Sequence, residues 1–460
     1  MIREAMDILS GWSSLDSWIV VTAALAAMAC AVPGVFLVIR RQSMMGDALS
    51  HTTLPGVVIA FLLAHWLRTS GWLSEEAYDA SRHGVMFAGA LIIGIVSAGL
   101  TEAVQKLGKV EASAALGVVF TSLFAVGLLL IRIAADSVHL DPDCVLYGIV
   151  ETVVLDTIGS TGIPRAAVTS LAVLVANLVL VVLFFKELRL SAFDGALATT
   201  LGINAQAMHY GLMAITAATL VSAFETVGSI LVIAMLIAPA ATSHLLTDRL
   251  SVMIGLSLFF AAAAAVLGHG MAITIPPILF SRLGFPTVGD ASVAGMIAVA
   301  SGLLFFGAML FGPRYGIFSR ITHQTRLGLR IAAEDVLGLL YRAEEQPGRA
   351  AAQPIMSPAV GRWLTSLALR RLAWSGAIIP TSDGYQLTDS GRARAEQLVR
   401  AHRLWESYMA KHFELPEDHL HDTAARVEHY LDPALRARLA DELETPDMDP
   451  HGRAIPGEEQ

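Results

Sequence analysis

The stretch Arg40-Arg41-Gln42-Ser43-Met44-Met45-Gly46-Asp47-Ala48-Leu49-Ser50-His51-Thr52-Thr53-Leu54-Pro55-Gly56 carries two ionisable residues into an apolar run. Asp47 and His51 are four residues apart, so on a helix they share one face. A charged pair inside a membrane span is expensive and points to function. A carboxylate beside an imidazole suits a borderline divalent ion such as manganese, iron or zinc. The same spacing also fits a plain Asp–His hydrogen bond near a helix start, where the dipole favours the carboxylate.

The surroundings set the context for this pair. The chain has 460 residues, 55% hydrophobic and only 15% charged, with mean hydropathy +0.60. Soluble domains are about 25% charged. Residues 1–320 hold 15 Lys+Arg and 19 Asp+Glu, whereas residues 321–460 hold 16 and 21. A long apolar region therefore precedes a short water-loving one. The composition excludes a disordered chain, and two distant cysteines, Cys30 and Cys144, exclude a disulfide framework and a cysteine-based zinc site. A net charge of −9 argues against nucleic acid as the main partner.

A span needs about 20 mostly apolar residues. Nine stretches qualify: 18–39, 48–67, 85–104, 113–133, 166–185, 208–224, 228–246, 253–275 and 293–311. The weakest division lies around Ala223–Glu225. No basic leader precedes the first run, which is read as a retained span. Arg and Lys number nine in loops after odd spans and five after even ones, so the N-terminus is expected outside and the polar tail in the cytoplasm.

Two other segments of this half stand out. His139-Leu140-Asp141-Pro142-Asp143-Cys144 follows the fourth span on the expected outer side; it reads as a turn set by Asp-Pro or as a collector of cations. Between spans five and six, Phe193, Leu197 and Leu201 recur at helical spacing. They predict a short amphipathic helix that docks a partner or rests on lipid. Glu102, Glu225 and His269 are read as structural polar residues near span ends.

The Arg40–Gly56 stretch resembles the signature of the metal-permease family of ABC importers, the zinc/manganese/iron group. Phe193-Asp194 through Leu201-Gly202 resembles its coupling loop, and Leu231–Ala241 its late-span segment. His139–Gly148 is similar to the manganese/zinc subgroup that includes treponemal-type permeases. The resemblance spans about residues 17–312. It implies a permease subunit in a homo- or heterodimer, with separate ATPase subunits and an extracytoplasmic metal-binding protein, in the bacterial inner membrane. It also implies that Asp47 and His51 line the metal path and that Phe193, Asp194, Leu197, Leu201 and Gly202 contact the ATPase. No phosphate-binding G-x-x-x-x-G-K-[ST] loop occurs in the chain, so ATP hydrolysis is expected on another subunit.

Residues 313–331 read as a linker. Beyond it, Glu334–Glu345 is predicted as a helix with Val336, Leu339, Leu340 and Ala343 on one face. A second helix over Pro358–Gly376, a two-stranded wing turning at Ser382-Asp383-Gly384, and a long helix capped by Thr388 complete a winged-helix order. His402 and Glu406 are four apart on that long helix. His421, Glu428 and His429, at spacings of seven and eight, are expected on one face of the next. These nitrogen and oxygen donors suit manganese, iron, cobalt or zinc, or else form a solvated charged face.

This tail resembles the iron- and manganese-dependent repressors of the diphtheria-toxin-repressor family. The match runs through Leu387–Gly391, Val399–Glu406, Leu420–His429 and Pro446–Pro456. By position it implies the ligands Asp335, His402, Glu406, His421, Glu428 and His429. Ala425 stands where those repressors carry Cys or Glu, which is expected to weaken one of two sites. The recognition half is short and direct base reading is not expected.

The expected architecture is an all-α polytopic membrane domain of about nine transmembrane helices (1–312) followed by a soluble, mostly α winged-helix and metal-binding domain (332–460). The expected function is the permease of a divalent-metal importer whose tail senses metal. The alternatives are a membrane-tethered, metal-dependent transcriptional regulator and a proton-coupled secondary transporter.

Overall fold

A computed structural model of the chain describes residues 8, 10–72, 74–134, 150–158, 162–284, 290–345, 361–382, 384–413, 417–444 and 446–457. The chain divides into two units, Met1–Ser319 and Arg320–Gln460.

The first unit is a helical bundle. Its elements are α1 (Ser14–Ile39), α2 (Ser43–Thr69), α3 (Glu75–Gly108), α4 (Ala112–Ala134), a 3-10 turn at Val150–Leu155, α5 (Arg165–Leu183), the short α6 (Phe185–Phe193) and α7 (Gly195–Thr200), α8 (Ala205–Val227), α9 (Ser229–Leu246), α10 (Leu250–Arg282) and α11 (Val293–Phe311). Among the described residues eight helices are long and apolar enough to cross a membrane, and the apolar Leu231–Leu246 is a shorter ninth. The two spans that nearly merge in the sequence are parted by Gly228 alone, at φ +81°. Only a residue without Cβ takes that conformation at no steric cost.

Helix α1 is the hub. Ala23, Ala26, Ala27, Ala29, Cys30 and Ala31 are almost wholly buried, and α1 packs on α10, α9, α5 and α8. Small side chains let neighbouring backbones approach where lipid supplies no hydrophobic drive. The closest approach is at Gly34, where a Cβ would fall 1.9 Å from the Leu236 carbonyl oxygen of α9. Ser13 and Asp16 form a reciprocal cap that starts α1: the Ser13 hydroxyl accepts from the Asp16 N–H, and the Asp16 carboxylate accepts from the Ser13 N–H at 2.8 Å. Asn177 of α5 donates to the Ala29 carbonyl at 3.0 Å and to the Thr219 hydroxyl at 2.9 Å, a buried polar tie across α5, α1 and α8.

Helix α2, which carries the Asp47–His51 pair, is clasped by α3 and α4. A Cβ on Gly56 would lie 2.5 Å from the Gly89 carbonyl oxygen, so the crossing of α2 and α3 depends on paired glycines.

The second unit is mostly helical. Helix α12 (Ile317–Glu345) begins well before Glu334 and covers most of the stretch read as linker; no proline interrupts it. Its buried face is Ala332, Val336, Leu337 and Leu340, so Leu337 replaces Leu339 and Ala343 of the expected stripe. Helix α13 spans Arg362–Trp374 and the strands β1 (Ile378–Thr381) and β2 (Gly384–Leu387) form the wing, with Ile378 opposite Leu387 and Thr381 opposite Gly384. Leu372, Ala377, Ile378, Leu387 and Ala395 pack with the α12 stripe into one core. Thr388 caps α14 (Asp389–His412) through the Gly391 N–H. Helix α15 (Glu417–Val427), a 3-10 turn at Glu428–Tyr430 and α16 (Pro433–Glu442) follow. The helix–helix–wing–helix order expected from the sequence is present. The part of the second helix expected before Gly361 lies outside the described residues.

Candidate metal centres

In the membrane unit, α2 starts at Ser43, so Asp47 and His51 lie one turn apart on its exposed-to-interior boundary. His51 Nε2 lies 3.5 Å from Asp47 Oδ1, with both side chains about one third exposed (29% and 38%). The imidazole rests against two rings of α4, Phe120 at 6.1 Å and Phe124 at 5.2 Å between centroids. Among the described residues no third His, Cys, Asp or Glu closes this pair into a ligand triad. The His139–Cys144 stretch lies outside the described residues.

The segment between α5 and α8 is not the single helix expected. Phe193 ends α6, and Asp194 breaks the chain by accepting hydrogen bonds from the Ala196 and Leu197 N–H groups, each 3.0 Å, to cap α7. An Asp side chain competes with the helix for its own backbone in this way. Phe193, Leu197 and Leu201 are nevertheless all exposed, at 63%, 48% and 61%. Gly202 then turns the chain at φ +83° into α8. The result is an apolar ridge on two short helices.

His269, read as an isolated structural residue, has a partner. Its Nε2 lies 3.1 Å from Asp16 Oδ1 and Trp12 packs edge-on against the ring, so the pair fastens α10 to the start of α1. Glu102 likewise accepts from Lys106 and Tyr210.

The tail brings six of the expected ligands together, but in two groups rather than on two helices. His402 and Glu406 of α14 meet His421 of α15. His402 Nε2 to Glu406 Oε1 is 3.0 Å, His402 Nε2 to His421 Nδ1 is 2.9 Å, and His421 Nδ1 to Glu406 Oε1 is 3.0 Å. A triangle with edges of this length is what three mutually adjacent ligands of an octahedral ion form at about 2.1 Å from it. His402 and Glu406 are buried (3% and 2% exposed), whereas His421 is half exposed, so the centre opens on its α15 side.

The second group is Asp335 of α12 with Glu428 and His429. Spacing places Glu428 and His429 on the helix of His421, yet α15 ends at Val427 and both residues lie on the 3-10 turn, which redirects them toward α12. His429 Nε2 is 3.0 Å from Asp335 Oδ1 and 3.8 Å from Glu428 Oε1. On the far side of the ring, His429 Nδ1 is 2.8 Å from Glu334 Oε2. A carboxylate that orients the ring from Nδ1 leaves Nε2 for an ion. That Nε2 is buried and faces only the two carboxylates of its own group, Asp335 and Glu428, so all three donors converge on one point. The donor sets therefore fit a divalent ion at both places.

The electrostatics agree. Burial pushes the His429 ring down, but the Asp335 and Glu334 carboxylates, with Glu428 behind them, outweigh it and raise its pKa to about 9. His402 is raised in the same way: burial opposes, and Glu406 and Glu428 prevail. Glu406 is held far below the usual carboxylate range; burial works against this, and His402 and His421 overcome it. The second centre sets two carboxylates against one imidazole, a balance that a divalent ion would complete.

Three supporting residues were not legible in advance. Glu334 orients His429. His451 brings its Nε2 to 3.9 Å from Glu406 Oε1. Arg403, only 2% exposed, clamps Glu345 at 3.0 and 2.5 Å and approaches Asp449 at 3.6 Å. It joins the end of α12, helix α14 and the last described segment. A charged neighbour of His402 signals burial only if its two carboxylate partners, 58 residues before and 46 after it, are known to fold against it. Ala425 is half-buried on α15 and contributes no donor.

Comparison with known proteins places these features. Residues 15–279 match the ABC 3 transport family, and residues 388–457 match the iron dependent repressor, metal binding and dimerisation domain. The chain is 36% identical over 311 residues, 67% of its own length and 95% of the relative's, to a Bacillus subtilis protein named manganese transport system membrane protein MntD. It is 27% identical over 453 residues, 96% of both chains, to a probable metal transport system membrane protein of Chlamydia trachomatis. Among solved structures, PsaBC from Streptococcus pneumoniae in complex with Fab superposes with a TM-score of 0.52 at 28% identity, covering 68% of this chain and 98% of that one.

Proposed function

Because this chain belongs to the ABC 3 transport family, we propose that it is the permease subunit of an ATP-driven importer of a divalent metal ion, with a cytoplasmic tail that senses the same ion. At the coarser level it is a multi-pass membrane protein of metal transport with a repressor-like C-terminal domain, a transport component rather than an enzyme. The metal is manganese, with zinc or iron as the alternatives. Carboxylate and imidazole donors without thiolates support that choice, as does the name of the Bacillus subtilis relative.

The observation that carries the reading is the presence, in one chain, of a metal-permease domain and two preformed donor triads in its tail. Asp47 and His51 line the ion's path. The exposed ridge of Phe193, Leu197 and Leu201, with Asp194 and Gly202 shaping its two helices, receives an ATPase subunit, since the chain has no phosphate loop of its own. An extracytoplasmic metal-binding protein delivers the ion, and a second permease subunit completes the pathway. The setting is the bacterial cytoplasmic membrane with the tail inside, in keeping with the excess of Arg and Lys in the loops on that side; nucleic acid is not a partner.

In the tail, His402, Glu406 and His421 hold one ion, and Asp335, Glu428 and His429 the other. The bound metal supplies positive charge that lets these acidic and basic groups pack without protons. Loading then favours one arrangement of the tail. By linkage it restrains uptake when cytosolic metal is plentiful, provided the ion binds that arrangement more tightly. Proteoliposomes test this. The full chain with its co-purified permease partner and ATPase, supplied with the metal-binding protein, takes up manganese only with ATP, and manganese trapped on the tail side slows the rate. ATP-independent uptake by the chain alone overturns the importer assignment.

A further inference from the structure

Arg40 ends α1 just before the helix that carries the ion pair, and its side chain touches α6 and α8, which flank the exposed Phe193–Leu201 stretch. It is the C-cap of α1, its N–H bonded to the Phe36 carbonyl. Arg41 turns the chain at φ +56°, and α2 begins at Ser43. Only Arg40, Arg41 and Gln42 therefore separate α1 from the helix of Asp47 and His51. The Arg40 side chain reaches the other way. Its Nη2 donates to the Ser191 hydroxyl of α6 at 2.8 Å, and its Nη1 lies 3.4 Å from His209 Nδ1 near the start of α8. Ser191 is two residues from Phe193 and passes its own proton to the Leu188 carbonyl at 3.2 Å.

The electrostatic setting of this guanidinium is unusual. It is half-buried, its Nε is enclosed without a hydrogen-bond partner, and among the described residues no carboxylate pairs with it. Withdrawing an unpaired cation from water is costly. Arg40 gains only two neutral acceptors, and they sit on the helices that enclose the ridge from either side. The guanidinium thus links α6 and the start of α8 to the three-residue turn that precedes α2.

We propose that Arg40 is a positioning residue that transmits displacement of α6–α7 to the start of α2, and so to Asp47 and His51. This deepens, and rests on, the assignment of the chain as an ATP-driven permease.

The test uses the full complex, this chain with its co-purified permease partner and ATPase and the extracytoplasmic metal-binding protein, in proteoliposomes supplied with manganese. Both ATP hydrolysis and metal uptake are measured. In Arg40→Ala and Ser191→Ala the ATPase still co-purifies and the KM for ATP is unchanged. The metal moved per ATP hydrolysed falls about tenfold, the size expected for losing one hydrogen bond to a charged group. Arg40→Lys, which keeps the charge and reaches one partner, recovers part of the ratio. An unchanged ratio in Arg40→Ala overturns the proposal. So does loss of ATPase binding in Ser191→Ala, which deletes a single hydroxyl and would reveal a mere anchor. A wild-type complex that hydrolyses ATP without moving metal instead overturns the importer assignment itself, and the role of Arg40 with it.

Discussion

His402 and Glu428 tie the two donor groups of the tail, the candidate metal centres, together. His402 Nδ1 lies 2.5 Å from Glu428 Oε2, while the other nitrogen of the ring belongs to the first centre. The other oxygen of Glu428 faces His429 Nε2 of the second centre. Glu428 is thus a ligand candidate at one centre and the carboxylate that orients a ligand at the other. Removing such an orienting group costs about 10–100-fold in metal affinity. Glu428→Gln is therefore expected to weaken both tail ions, whereas Asp335→Asn weakens one. Manganese titration of the full chain, in an Asp47→Asn background that removes the transport pair, distinguishes two affected sites from one.

Acidity sets the stability of the metal-free tail. The His429 pKa rises from 6.5 to about 9 on folding. A raised folded-state pKa stabilises fully below the unfolded value, and the contribution disappears as pH climbs through the folded value. Metal-free chain is therefore expected to lose thermal stability between about pH 6.5 and 9, by about 3 kcal/mol at most. Glu406 has the opposite sign: its folded pKa lies below the ordinary 4.5, so its contribution is present above that value and is lost in acid. Melting of chelator-treated protein across this range checks the alkaline limb, which His429→Gln should flatten.

Close backbone approach makes Gly34 and Gly46 unequal. A Cβ on Gly34 meets the Leu236 carbonyl at 1.9 Å, a backbone atom that cannot yield locally, whereas a Cβ on Gly46 meets the end of the Leu236 side chain at 2.2 Å. Overpacking costs about 1–3 kcal/mol or more. Gly34→Ala is expected at or above the top of that range and Gly46→Ala at the bottom, because a leucine can rotate away. Thermal unfolding of both variants in the same detergent orders them; equal losses would contradict the packing described.

The ridge makes a separate prediction. Leu197 and Leu201 are exposed, so Leu197→Asp and Leu201→Asp leave the melting temperature unchanged and abolish co-purification of the ATPase subunit. A desolvated apolar anchor replaced by a charge loses about 2 kcal/mol or more of binding. Retained ATPase in both variants would place the docking surface elsewhere.

The membrane half was readable because spans announce themselves by length and hydropathy; the doubtful division was expected around Ala223–Glu225, and the break falls slightly later, at Gly228. Local competition was less visible. Phe193, Leu197 and Leu201 keep helical spacing, so nothing in that pattern shows that Asp194 interrupts the helix by capping its successor. His421, Glu428 and His429 keep the spacing of one face, but the change to a 3-10 turn after Val427 sends the last two to α12. Spacing assumes that a helix continues, and tertiary packing decided where this one stopped. Glu334, His451 and the partners of Arg403 come from distant segments, and no local period encodes such meetings. His402, Glu406, His421, Glu428 and His429 were visible in the sequence as candidate donors, whereas Asp335 entered only through the resemblance to the repressors, because it lies on a distant helix.

The most direct test of the central claim is ATP-dependent uptake of radiolabelled manganese by proteoliposomes containing the full complex, compared between wild type, Asp47→Asn with His51→Ala, and His402→Ala with His429→Ala. With equal chain in the membrane, the first pair of substitutions is expected to reduce uptake by at least about tenfold, as befits loss of metal ligands. The second pair should leave initial uptake intact and abolish the slowing caused by manganese trapped on the tail side. Full uptake without Asp47 and His51, or unchanged slowing without His402 and His429, would contradict the account.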